Sequence, residues 1–168
     1  MAQDWGEPST KTVSWHDPRA AAATRLAMSG VEHLQAMVDG VVPPPPIALL
    51  MGFGLTEVAP GRVVFTCTPD ESVYNPIGTV HGGLVCALLD SVCGCAVQST
   101  LPQGQAYTSV EIKVSFLRAV HAGDALTAVG TIVKPGRRVA FSQGEVRDAD
   151  GRAVATATST CLVVDLPS

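Results

Sequence analysis

Residues 74–97 read YNPIGTVHGGLVCALLDSVCGCAV, and the way this stretch folds decides the architecture of the chain. A histidine and two glycines lead into a run of almost uninterrupted apolar and small residues, long enough for a helix from about Thr79 to Thr100. Val80 to Val97 approaches membrane-spanning length, but it holds His81, several small or polar breaks and a carboxylate, Asp90. A helix that is apolar nearly all round, and interrupted in this way, fits the buried centre of a water-exposed protein. Asp90 is then the anomaly. An unpaired carboxylate buried there costs several kcal/mol, so it is expected to have a partner or a task.

Outward from this helix the texture is that of strands. Upstream, GFGLTEVAPGRVVFTCTP from Gly52 to Pro69 gives two strands around a Pro60-Gly61 turn. Downstream, AYTSVEIKVSFLRAV alternates. It sets Thr108, Val110, Ile112, Val114 and Phe116 on one face and Ser109, Glu111, Lys113 and Ser115 on the other. Three further strands follow, turning at Pro135-Gly136 and Asp150-Gly151. The order is strand, strand, long helix, then four strands joined by tight turns, which imply antiparallel pairing. An antiparallel sheet curled around one long central helix is an α+β architecture, the hotdog fold.

The first fifty residues differ. Met1 to Trp15 is a mixed polar tail expected to fray. Asp17-Pro18 is a helix-start signal, and the alanine-rich run after it predicts a helix to about Met28. Ser29 caps a second, amphipathic helix with Val31, Leu34 and Met37 on one face, ending near Gly40. Pro43 to Pro46 predicts a stiff extended spacer rather than a helix or strand. The division expected is a tail and helical arm over 1–50, serving to dock, and a hotdog domain over 51–168.

Composition narrows the functional classes. The chain has 168 residues, 46% of them hydrophobic and 15% charged, which predicts a packed single domain with apolar surface to spare for another subunit. A net charge of −4 argues against a broad nucleic-acid surface. The N-terminus lacks a basic start followed by an apolar run, so no secretory signal is expected. Five cysteines, Cys67, Cys86, Cys93, Cys95 and Cys161, have neither disulfide-framework nor zinc spacing. They are expected to be packing residues of a cytoplasmic protein without a metal. His16, His33 and His121 stand in no motif and are expected at the surface.

The helix entrance is where chemistry is expected. Its first turn has unpaired backbone N–H groups and a partial positive charge. Gly82 and Gly83 leave those amides open to a substrate oxygen, an arrangement suited to stabilising charge on a carbonyl. Asn75 and His81 stand beside it as further hydrogen-bonding groups. A glycine pair also serves simply for close packing, and Asp90 could be a satisfied core group, so neither feature is decisive alone. A working Asp90 would be a general base or a nucleophile. It lies eight residues beyond Gly82, roughly 12 Å along a helix, too far for both to reach one carbonyl within a chain. A symmetric dimer removes the difficulty by setting Asp90 of one copy against Gly82 of the other.

YNPIGTVHGGLVCALLD, with its Asn, His-Gly-Gly and Asp spacing, resembles the active-site segment of hotdog-fold acyl-coenzyme A thioesterases. The likeness is greatest to the phenylacetic-acid-degradation group, related to the arylacyl thioesterases that act on 4-hydroxybenzoyl-coenzyme A. It spans roughly Ser29 to Val164 and includes SGVEHLQAMVDG, FLRAV and GRRVAF. The resemblance implies that the Gly82 N–H polarises a thioester carbonyl and that Asp90 of the partner subunit attacks it or activates water. It also implies that Asn75 positions substrate or water and that His81 supports the loop or the thioester. A hydroxyl on the following strand would hold the water, and Ser109 matches better than its neighbour Thr108. The aryl branch often carries Glu where this chain has Asp90, which leaves the acyl group open.

The basic turn KPGRR offers Lys134, Arg137 and Arg138 to the phosphates of coenzyme A, or is a solvated hairpin tip. The function expected is hydrolysis of an acyl-coenzyme A thioester by a homodimer or homotetramer with active sites at the dimer interface. No cofactor is implied, since coenzyme A is part of the substrate, and neither nucleic acid nor membrane is an expected partner. The alternative is a non-catalytic acyl-coenzyme A sensor on the same scaffold. A dehydratase would need a His and acid pair placed differently.

Overall fold

The central helix, α4 (Gly82–Gln98), starts at its glycine pair because His81, in an extended conformation, caps it. Its imidazole Nδ1 accepts the Gly83 N–H at 2.8 Å, so the helix begins three residues later than periodicity predicts. The computed structural model describes residues 4–167, and Met1–Gln3 of the expected tail lie outside them. Six strands surround α4: β1 (Phe53–Ala59), β2 (Arg62–Cys67), β3 (Gln105–Phe116), β4 (Leu126–Lys134), β5 (Val139–Arg147) and β6 (Ala153–Asp165). They form one antiparallel sheet in the order β1-β2-β4-β5-β6-β3. This is the hotdog arrangement expected from the element order. Among the described residues no helix is long and apolar enough to cross a membrane.

The sheet grips only part of the helix. Leu88, Leu89, Val92, Cys93, Ala96 and Val97 are fully buried against it. Gly83, Cys86, Ala87, Asp90 and Ser91, spaced three and four apart, form a stripe the sheet leaves uncovered. The helix keeps this one face open, and Asp90, expected to be buried, is half-buried on it.

Strand β3 also departs from simple alternation. A bulge falls between Ser109 and Glu111, which pair with Cys161 and Thr160 of β6, leaving Val110 without an opposite residue. Before the bulge Tyr107 and Ser109 face the helix; after it Ile112 and Val114 pack against the core. Thr108 pairs with the exposed Leu162 and Val110 is itself exposed. The side predicted for Ser109 is thus reversed.

The N-terminal segment lies against this body. Helix α1 (Pro18–Ala23), capped by Asp17, passes into a 3-10 turn (Thr24–Ala27) rather than continuing as one helix. Helix α2 (Gly30–Val38) opens with the Ser29–Glu32 capping box. The proline run is not wholly a spacer: Pro46 opens helix α3 (Pro46–Met51), because proline at a first helical position lacks only an N–H that would be unpaired anyway. Leu34 of α2 and Ala48 of α3 share the core with α4. Lys11 Nζ reaches Asp70 Oδ2 at 2.7 Å, an exposed contact between the polar tail and the segment after β2. That ammonium, with the Ser72 hydroxyl and N–H, holds the Asp70 carboxyl down at about 2.

Candidate active site

Asn75 builds the loop that delivers α4. Its Oδ1 accepts the N–H groups of Ile77 at 3.0 Å and Thr79 at 3.2 Å, and its Nδ2 donates to Thr79 Oγ1 at 2.9 Å. The backbones of Asn75 and Thr79 are bonded as well. The carboxamide is therefore engaged with the loop, an Asx-turn use of the residue, and Nδ2 carries a second hydrogen beyond the Thr79 bond. Two residues past this turn His81 caps the helix. Because its Nδ1 accepts a hydrogen bond, a neutral ring carries its proton on Nε2.

The two glycines have different reasons to be there. A Cβ on Gly83 would lie 2.8 Å from His81 Nδ1, so that glycine makes room for the cap. The Gly83 N–H is consequently occupied, which corrects the expectation that both first-turn amides are open. The Gly82 N–H has no acceptor among the described residues. A Cβ on Gly82 would lie 3.1 Å from Phe116 Cζ, so the aromatic ring at the end of β3 packs beside this glycine. What remains is one unpaired N–H at the positive end of a helix, beside an apolar wall.

Two turns along the open face stands Asp90. Ser109 donates its hydroxyl to Asp90 Oδ1 at 2.8 Å, and the pair is solvent-accessible. The β3 bulge brings them together, and it selects Ser109 over Thr108. Nothing local joins Asp90 to Gly82, and the eight-residue spacing keeps them roughly 12 Å apart along the axis. Lys134, Arg137 and Arg138 are exposed at the β4–β5 tip. That tip lies toward the far end of α4, where Ile132 N–H bonds Gly61 and the Gly61 N–H bonds Ser99.

Cysteines are poor candidates for a nucleophile here. All five are free, and burial holds the thiols of Cys67 at about 11 and Cys93 at about 12. Cys86, on the open face, is also raised by burial. These thiols stay protonated near neutral pH.

Asp90 borders a cavity of about 510 Å³ between the open face of α4 and the N-terminal segment. Its walls are chiefly apolar, with Leu34, Met37, Phe53, Leu55 and Phe65 prominent. Arg25, His33, Gln98 and Tyr107 also line it, and none of these four was expected at the site. His33 was expected at the surface and is instead 4% exposed. Its α2 position beside the apolar stripe carries no motif, so only the fold reveals it. His16 and His121 are exposed, as expected.

Comparison with known proteins identifies the family. Residues 77–155 match the family model for the thioesterase superfamily. Human acyl-coenzyme A thioesterase 13 is 28% identical over 63% of this chain and 76% of its own length. A phenylacetic acid degradation-related protein from Ralstonia eutropha is 33% identical, with a TM-score of 0.70, covering 77% of this chain and 98% of that one. A Streptococcus mutans protein solved with acetyl-CoA bound is 26% identical, with a TM-score of 0.64, covering 70% of this chain and 92% of that one.

Proposed function

This chain belongs to the thioesterase superfamily, and we propose that it hydrolyses acyl-coenzyme A thioesters to a free carboxylic acid and coenzyme A. The observation that carries this is the Asp90–Ser109 pair, held accessible on a helix whose first N–H is unpaired. Relatives named for acyl-coenzyme A hydrolysis, or solved with acetyl-CoA, support the choice of substrate.

The thioester oxygen accepts the Gly82 N–H, which draws charge from the carbonyl carbon. Ser109 uses its only hydrogen on Asp90, so toward a water it is an acceptor. The water's oxygen bonds to the carbonyl carbon while Asp90 takes its proton. Collapse of the oxyanion breaks the carbon–sulfur bond, and the proton passes from Asp90 to the leaving sulfur. Asn75 and His81 act by positioning the Gly82 amide.

Gly82 and Asp90 of one site come from two copies. Strand β3 supports this, being twelve residues long and at the sheet edge with one side unpaired. Pairing two β3 edges would set the open faces of two α4 helices toward one another across a two-fold axis.

A mixing experiment tests the shared site. Gly82→Pro removes the N–H, and His81 already has the extended backbone that a following proline requires (φ −63, ψ 133). Phe116 must give by a few tenths of an ångström. Gly82→Pro and Asp90→Asn alone should each be nearly inactive. Unfolded together and refolded as an equal mixture, they should regain up to about a quarter of wild-type thiol release, since half of random dimers are mixed and each has one intact site. A mixture as inactive as its components would show that the two residues do not complete one another's site.

The basic tip is proposed to meet the coenzyme A phosphates. Replacing Lys134, Arg137 and Arg138 together by alanine should raise KM several-fold with little change in kcat, and the effect should shrink in high salt. Steady-state kinetics at two ionic strengths check this, and an unchanged KM leaves the tip a solvated hairpin.

A further inference from the structure

Apart from Asp90, the cavity beside α4 is apolar over most of its wall and cationic at one place. Arg25 is half-buried there, and Nη2 donates to the neutral Gln98 Oε1 at 3.0 Å. Among the described residues no carboxylate comes within ion-pair distance of its guanidinium. His33 lines the same cavity and is buried, with no hydrogen-bond partner for Nε2. Burial first, and then the Arg25 charge, lower the affinity of His33 for a proton. A hydrogen bond to the Ala21 backbone opposes them and uses the other ring nitrogen as donor, so Nε2 of a neutral ring is a free acceptor. A lone cation and an unpaired imidazole in apolar surroundings are costly unless a ligand meets them. Asp90, the only acidic residue among the described residues lining the cavity, is bonded to Ser109 and stands eight residues from Gln98, roughly 12 Å along α4.

We propose that this corner receives the far end of the acyl group, and that the preferred substrates are medium-length acyl thioesters ending in a carboxylate. The thioester lies at Asp90, the methylene chain runs along Leu34, Met37 and Phe65, and the distal carboxylate bonds Arg25, with one proton taken up alongside it bridging its second oxygen to His33 Nε2. The span from Asp90 to Gln98 sets the length. This rests on the thioesterase function proposed above and adds to it the identity of the acyl tail.

The experiment compares two coenzyme A thioesters of equal chain length, one ending in methyl and one in carboxylate, by thiol release. The wild type should favour the carboxylate-ended ester in kcat/KM by about tenfold or more, the worth of one charge-assisted contact. Arg25→Met should abolish or invert that ratio, and His33→Phe should reduce it. A wild type that prefers the methyl-ended ester, or a ratio indifferent to Arg25→Met, overturns the proposal. Calorimetric titration of the wild type with the matching non-hydrolysable thioethers separates this from the reaction itself. Tighter binding of the carboxylate-ended thioether upholds the pocket even if no ester is cleaved. Equal binding of the two overturns the pocket even if both esters are hydrolysed.

Discussion

Asp90→Asn should lower kcat by about 10²–10⁴-fold, the range for loss of a general base. Asparagine keeps the size of the side chain and can still accept the Ser109 hydroxyl, but it has no oxygen basic enough to take a proton from water. Folding should survive, because a half-exposed carboxylate is exchanged for a neutral group of the same shape. Binding of coenzyme A should persist, since its proposed phosphate contacts at Lys134, Arg137 and Arg138 lie elsewhere. The measurements are thiol release, thermal melting and coenzyme A titration on both proteins. A variant that melts normally and turns over at nearly the wild-type rate would leave Asp90 only a partner for Ser109.

Gly130→Ala should be among the most destabilising single-methyl additions in the chain. Gly130 of β4 faces α4 so closely that a Cβ would stand 2.1 Å from the Val92 carbonyl oxygen. Its β5 neighbour in register is Gly144, so two glycines side by side form a trough in which the helix lies. The obstacle at Gly130 is helix backbone, which cannot turn aside as a side chain can, so α4 has to lift from the sheet. The expected loss is about 3 kcal/mol or more, at the upper end for overpacking. That corresponds to a melting temperature lower by roughly 6–12 °C. Gly144→Ala should cost less, because the atoms it meets, at 3.0–3.1 Å, are the ends of the Cys93, Leu89 and Val92 side chains. Gly54→Ala, with nothing within 4 Å, is the control. Thermal and urea unfolding of all three check the order, and a Gly130→Ala protein as stable as the control would refute it.

The fold was legible because its signals are local and strong. The apolar run after His81-Gly82-Gly83 could only be a helix, and the turns at Pro60-Gly61, Pro135-Gly136 and Asp150-Gly151 punctuated the strands. Helix α3 was hidden because proline is read as a helix breaker, whereas at Pro46 it occupies the one helical position that tolerates it. In the candidate site, spacing pointed to Asn75, His81, Gly82 and Asp90 as a group. Their division of labour was not legible, since which amide His81 occupies depends on a side-chain torsion. Arg25, His33, Gln98 and Tyr107 come from four separate segments. No periodicity links them, and only the packing of the N-terminal helices over α4 sets them around one space.

The β3 bulge bears on how this site can change through time. Side chains on a strand alternate strictly, so a single supernumerary residue, Val110, works as a selector between two neighbouring hydroxyls. With Ile112 and Val114 anchored in the core, a strand lacking Val110 would alternate without interruption and still turn Ser109 to Asp90, whereas the same sequence drawn straight would bring Thr108 in and Ser109 out. A lineage could thus gain or lose three nucleotides at this position and keep one serine opposite the carboxylate. A gapless alignment with a relative lacking the extra residue would set that relative's serine against Val110 and its threonine against Ser109, recording an exchange of hydroxyls where the duty had never moved.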